Sequence, residues 1–282
     1  MDNFFSDFAA LFSLRPVLRG FFAMMICGAS FPTCGVMVLR LNLIPMRYML
    51  MHGVILGGAL ALALHLPMIP AALVVNIALV LFMLATASKN RPNFSGNSAA
   101  TMVLSMALAS LIMHIAGVNA KDTLDLLWGS PFALTKTDLI ILCGISGVLV
   151  AYTALNFHNI QNIFFNQQIA ESSGINVRMH YTATVIIIAV VIAVAMRLLG
   201  AFLIDALLIL PVLTAANFQR AFGKTGLRTL FFASGFSGLA ISVSGYLTAV
   251  MANLPPTAAI ALLAGIFFVA GRAIRKLKCR RI

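Results

Sequence analysis

Asp205 is the first candidate for a functional residue, because it is the one carboxylate in a long apolar stretch over residues 197–220. An acid at the centre of a membrane helix costs about 2.5–3.5 kcal/mol on insertion scales, so such residues are functional candidates by default. Asp205 would either line a translocation pathway, or pair with a cation, or be a structural acid close to the outer surface. The residues alone leave these interpretations open.

His52 is the second candidate, and it lies near the start of another apolar run. A histidine within a bilayer usually faces protein or a cavity, and neutral imidazole is the commonest metal ligand among side chains. Tyr48 lies one helical turn earlier and would share its face. The alternative is a histidine that is hydrogen-bonded to a neighbouring helix. Nearby methionines also suggest a copper site. Methionine is an ordinary apolar filler, however, so we interpret these residues as packing residues.

The elements that must position these residues are membrane helices. The chain has 282 residues, of which 61% are hydrophobic and only 9% charged, whereas soluble domains carry about 25% charged residues. Repeated apolar runs of about 20 residues match the thickness of a bilayer. The sequence therefore predicts an all-α polytopic membrane protein with about eight to nine transmembrane helices. We divide it into an interfacial segment (1–16), a transmembrane domain (17–273) and a basic cytoplasmic tail (274–282).

The distribution of charge predicts the topology. Most of the 19 Lys and Arg residues fall on the side that holds the C-terminus, so the positive-inside rule places the C-terminus and residues 157–181 in the cytoplasm. The net charge of +12 therefore needs no nucleic-acid partner. The apolar run 182–216 is too long for one helix across a bilayer. It must break near 197–200, into two short spans or one span and a re-entrant piece.

A polar segment contains the sequence FNQQIAESSGI (165–175), which predicts a short helix. Asn166 is a favourable N-cap and Gly174 a favourable residue just beyond the C-cap. Such a helix between spans would lie on the membrane or fit a groove of a partner protein. The sequence contains neither GxxxxGK[ST] nor HExxH, and no Ser/His or paired-Asp arrangement for proteolysis. These absences favour a transport protein over a membrane enzyme.

Four stretches together resemble the permease subunit of the zinc/manganese/iron class of ABC importers. GAFLIDALLILPVLTA (200–215) is similar to that family's signature, and FNQQIAESSGI is similar to its coupling segment. Residues 244–268 resemble its closing pair of spans, and LLWGSPFALTKTDL (126–139) resembles one of its loops. The resemblance covers most of the chain from Arg40 onward.

This resemblance implies a bacterial plasma (inner) membrane importer with alternating access, built from two permease subunits that are identical or different. A separate ATPase subunit would bind ATP, and the chain itself would bind no cofactor. A divalent transition metal would be the substrate. The candidate contacts with the ATPase are Asn166, Gln167, Ala170, Glu171 and Gly174. A soluble substrate-binding protein would dock on the outer face, for which the candidates are Asp122, Asp125 and Trp128.

The sequence also departs from the family pattern around His52. That residue falls on the family histidine, which the resemblance implies is a metal-pathway ligand, but Tyr48 replaces the family aspartate one turn earlier. A neutral phenol is a poor ligand for Mn²⁺, which prefers carboxylate oxygens. Asp205 stands where the family has a small or apolar residue. Either the carboxylate has been relocated, or the substrate is a metal chelate or another small solute. An ion-coupled secondary transporter that uses Asp205 is the alternative without ATP.

Overall fold

The computed structural model describes residues 14–86, 94–117, 129–223 and 226–279, and these residues form helices joined by short turns. The helices are α1 (Arg15–Arg40), α2 (Ile44–Ala63), α3 (Met68–Thr86), α4 (Phe94–Ile115), α5 (Lys136–Leu155), α6 (Phe157–Phe165), α7 (Gln167–Ser172), α8 (Val177–Leu199), α9 (Ala201–Ala221), α10 (Leu227–Met251) and α11 (Pro256–Cys279). A short 3₁₀ turn, Pro131–Ala133, precedes α5.

Nine helices within the described ranges are long and apolar enough to cross a membrane, namely α1 to α5 and α8 to α11. No strand occurs in the same ranges. The predicted all-α polytopic membrane fold with eight to nine spans is therefore confirmed, and nine candidate spans lie in the described part of the chain. The last helix continues to Cys279, through the first residues of the segment that the sequence assigns to a cytoplasmic tail.

The predicted break near 197–200 is confirmed at Gly200, which has φ 91° and ψ 153° between α8 and α9. This backbone conformation favours glycine over residues with a side chain. The expectation of short spans or a re-entrant piece is wrong, because α8 has 23 residues and α9 has 21. The difference arises because α8 begins at Val177, five residues before the apolar run that marked it in the sequence.

The helices divide into two compact units, and the described residues of the first unit are 14–36, 129–150, 198–223 and 226–279. Its helices cross closely at glycines, as membrane helices commonly do. A Cβ at Gly35 of α1 would lie 2.7 Å from the carbonyl carbon of Leu208 in α9. Tyr246 of α10 is fully buried, and its hydroxyl donates a hydrogen bond to the carbonyl of Val17 (2.7 Å).

The described residues of the second unit are 37–86, 94–117 and 151–197. Its α2 crosses α3 at two glycines spaced four residues apart. A Cβ at Gly57 would lie 2.5 Å from Cα of Ala72, and Gly53 packs against α3 one turn away. This small-xxx-small spacing lets two membrane helices approach closely. The second unit therefore holds α2, which carries His52, in a tight pair with α3.

Candidate functional site

The imidazole of His52 is held in a defined orientation on α2. Its Nδ1 lies 2.8 Å from the backbone carbonyl oxygen of Tyr48, one turn earlier. A carbonyl can only accept, so Nδ1 carries the hydrogen and Nε2 of the neutral ring keeps its lone pair. Metal-binding histidines are commonly fixed in this way by a backbone carbonyl on the other ring nitrogen. The half-buried His52 is therefore suited to donate Nε2 to a cation.

The turn before His52 presents an aromatic ring and a guanidinium group. The guanidinium carbon of Arg47 lies 4.3 Å from the centre of the Tyr48 ring, and Nη1 of Arg47 approaches the sulfur of Met51 (3.9 Å). Arg47 is buried, whereas Tyr48 is 43% exposed. A cation over an aromatic face is attractive, so this contact orients the ring. The sequence marks Arg47 only as one of the basic residues that predict the topology, and it does not predict this contact.

Asp205 belongs to the first unit, as a half-buried residue in the second turn of α9. His52 and Tyr48 belong to the second unit. The part of the chain that the structure describes contains no group of three or more His, Cys, Asp or Glu side chains able to hold a metal ion. Within one unit the structure thus brings together His52 and Tyr48, and a role for Asp205 in the pathway stays a prediction.

The short helix predicted between the spans is confirmed as α7, and both of its predicted caps are present. Oδ1 of Asn166 accepts hydrogen bonds from the backbone N–H groups of Gln168 (2.8 Å) and Ile169 (3.3 Å). Gly174 has φ 81°. Its N–H donates to Glu171 O (3.0 Å), and the next N–H, of Ile175, donates to Ala170 O (3.1 Å), which is the Schellman arrangement.

One face of α7 packs onto the second unit and the other is exposed. Ala170 is buried in a cluster with Ile163 and Val177, so it attaches the helix to its own unit rather than facing outward. Phe165 is 83% exposed and Ile169 is 54% exposed, beside the exposed Gln167 and Glu171. The sequence already indicates Ile169 and its apolar neighbours as a docking face, because apolar residues beside a short polar helix are the available signal.

A second short helix, α6, precedes α7 and was not predicted. It is tied to α8 by a polar contact between Nδ2 of Asn159 and Nε2 of the buried His180 (3.2 Å). The hydroxyl of Tyr152 also donates to the carbonyl of His180 (3.1 Å). These partners satisfy polar groups in the first turns of α8. That explains why α8 extends beyond its apolar core, and it fixes the segment that leads into α7.

The candidates for the outer docking surface, Asp122, Asp125 and Trp128, lie outside the described residues. The next described residue is Gly129, which packs against the corner between α8 and α9. A Cβ at Gly129 would lie 2.6 Å from the carbonyl carbon of Leu199. Ser130 then begins the 3₁₀ turn by accepting a hydrogen bond from Phe132 N–H (3.3 Å). The described end of this loop is therefore firmly placed within the first unit.

The described ranges thus hold nine candidate spans, a capped helix between two of them and an oriented histidine on α2, which is the architecture of a polytopic membrane protein. The chain belongs to the ABC 3 transport family, whose model matches residues 14–275. Members of this family are transport subunits rather than enzymes, and ATP hydrolysis belongs to a separate subunit.

The chain is similar to several metal-transport proteins along much of its length. It is 28% identical over 174 residues to the high-affinity zinc uptake system membrane protein ZnuB of Haemophilus influenzae, covering 61% of this chain and 66% of that protein. It is 23% identical over 219 residues to the manganese import system permease protein ScaB of Streptococcus gordonii, covering 77% and 76%. A solved structure of PsaBC from Streptococcus pneumoniae in complex with Fab matches the fold with a TM-score of 0.79 at 21% identity, over 95% of each chain.

Proposed function

We propose that this chain is the membrane-spanning permease subunit of an ATP-driven importer that moves a divalent transition metal into the cytoplasm. The observation that carries the proposal is the His52 ring, whose Nδ1–H donates to a backbone carbonyl at 2.8 Å and leaves Nε2 for a cation. Imidazole suits zinc and iron well, and the names of two relatives specify zinc and manganese.

Coupling to ATP would occur at α7. The exposed Phe165 and Ile169 give an ATPase subunit an apolar contact, and Gln167 and Glu171 give it polar contacts on the same short element. The caps at Asn166 and Gly174 keep the helix ordered. Its buried side packs on the second unit through Ala170. A force applied to α7 is therefore transmitted to that unit rather than absorbed by local unfolding.

The contacts of α7 lead directly to the helix that carries His52. Leu41, in the turn between α1 and α2, packs against the Ile163–Ala170–Val177 cluster. That turn is stiff, because Leu43 N–H donates to Val38 O (2.9 Å) and Asn42 adopts φ 55°. A displacement of α7 would therefore move the start of α2 and, about two turns further on, His52. A chain of packed side chains of this kind can carry coupling between distant sites when it has two discrete arrangements.

The remaining partners follow from the family and the distribution of charge. The positive-inside rule places the basic end of α11 in the cytoplasm of a bacterial cell, and there Nη1 of Arg275 donates to Oδ1 of Asn217 (3.1 Å). A second permease, identical or different, would complete the pathway. A soluble binding protein would dock on the outer side, where Asp122 and Asp125 would pair with its basic groups. Asp205 would handle cations near that side.

The test is uptake into proteoliposomes that contain the permease with its ATPase and binding protein. Labelled zinc, manganese and iron would be compared with and without ATP, each as the free ion and as a chelate. We expect ATP-dependent uptake of at least one free metal. Uptake of a chelate alone would move the substrate assignment to metal complexes and leave the permease role standing. ATP-dependent transport of none of them would contradict the proposal.

A further inference from the structure

Asn76 is a buried amide in a helix that otherwise offers almost nothing polar. It is the one polar side chain of α3 before the final residue of that helix, Thr86. The span has a mean hydropathy of 2.5 and only 22% of it is buried, yet Asn76 itself is fully buried. Placing this amide within the membrane, on a helix that is otherwise apolar and largely exposed, costs free energy unless the amide is hydrogen-bonded.

The amide lies against α2 at Gly53, the residue that follows the candidate metal ligand in the chain. Its oxygen and its Cγ occupy the space where a Cβ of Gly53 would lie, with Cγ 3.3 Å from that position and Cδ1 of Leu79 2.7 Å from it. Gly53 directly follows His52. The contact therefore needs glycine at this position, and it brings an amide oxygen against the backbone of the residue after His52.

Neither end of this amide is satisfied within the described ranges. Both Oδ1 and Nδ2 of Asn76 are buried, and neither has a hydrogen-bond partner there. Burial of an unpaired amide is destabilising, and the large majority of buried polar groups in native proteins are paired. Exceptions of this kind are expected at functional sites, where a ligand completes the set.

We propose that Asn76 is a further substrate-binding residue, whose side-chain oxygen ligates the divalent cation as it passes His52. The inference rests on the proposed function. A neutral amide oxygen and the Nε2 of His52 form an oxygen–nitrogen pair, in which carbonyl-type oxygen suits manganese and imidazole suits zinc. The pair supplies an oxygen ligand even though position 48 is a tyrosine and not the aspartate of the family pattern. In this proposal α3 moves relative to α2 during the transport cycle and uncovers the amide.

The experiment compares Asn76→Leu, Asn76→Ala and Asn76→Asp in the assembled complex in proteoliposomes. Leucine keeps the branched shape without the oxygen, alanine removes the oxygen without adding volume, and aspartate keeps an oxygen. Leu79→Val is the matched control, because it loosens the packing on the same glycine and changes no polar atom. The readouts are KM and kcat for ATP-driven uptake of zinc and manganese, and the thermal midpoint of the purified complex.

Asn76→Leu and Asn76→Ala are expected to raise KM for the metal by about tenfold or more, because even the loss of a group that only supports a metal ligand costs about that much affinity. Asn76→Leu should do so with a thermal midpoint at or above that of the wild type. Asn76→Asp should restore most of the affinity, and Leu79→Val should leave KM unchanged. Wild-type KM in both oxygen-free variants, or failure of both to assemble, would overturn the assignment and make Asn76 structural. Wild-type protein that moves no metal at all would instead contradict the proposed function.

Discussion

Replacement of Asn166 by alanine tests whether the capped α7 is the contact for the ATPase. The side chain accepts two backbone hydrogen bonds, from Gln168 at 2.8 Å and Ile169 at 3.3 Å. Loss of an N-cap costs about 1 kcal/mol. A helix of six residues is far below the length at which isolated helices persist in water. The order of α7 therefore depends on its caps and on the packing of Ala170.

The expected magnitude follows from that loss. About 1 kcal/mol corresponds to about a fivefold change in the equilibrium between the ordered and the frayed helix. If the ATPase binds only the ordered form, its apparent affinity falls by up to the same factor. The assay is titration of the ATPase subunit onto the permease in nanodiscs, followed by ATP-driven uptake.

Asn166→Asp is the matched control, because aspartate caps a helix as well as asparagine does. We expect Asn166→Ala to weaken ATPase binding by up to about fivefold and Asn166→Asp to bind like the wild type. Unchanged binding by Asn166→Ala would refute the assignment of α7 as the contact. An equal loss of ATPase affinity in both variants would show that loss of the cap does not cause the weaker binding.

Three further predictions concern the pathway and the helix packing. His52→Ala should abolish metal uptake while the complex still assembles, and wild-type uptake rates would remove His52 from the pathway. Asp205→Asn should lower uptake if the acid handles cations, whereas a variant that only melts at a higher temperature would mark a structural acid. Gly35→Ala should lower the thermal midpoint, since its methyl group would lie 2.7 Å from the carbonyl carbon of Leu208 and overpacking costs about 1–3 kcal/mol. Gly144→Ala, where a Cβ would meet nothing within 4 Å, should not lower it.

Features set by local chemistry could be predicted from the sequence. The break at Gly200 follows from the length of an apolar run against the thickness of a bilayer. The ends of α7 follow from Asn166 and Gly174, because caps depend on residues within one turn of the helix end. The spans themselves follow from hydropathy, which needs no knowledge of the partner helix.

Features set by contacts between distant residues could not be predicted. The start of α8 includes His180, which hydropathy counts as polar, but the structure gives it partners from α5 and α6, Tyr152 and Asn159. The side of α3 that turns inward, and with it the burial of Asn76, depends on a glycine in α2. The outward face of α7 likewise depends on which of its residues packs on the cluster around Ala170. No local pattern encodes these choices.

The energy source is the most direct test of the central claim that this chain is the membrane subunit of an ATP-driven metal importer. Metal uptake by the wild-type complex would be measured in liposomes with ATP and no ion gradient, and with a proton or sodium gradient and no ATP. We predict uptake with ATP alone, and its loss when the ATPase is omitted. Uptake driven by the gradient without ATP would contradict the account and favour a secondary transporter that uses Asp205.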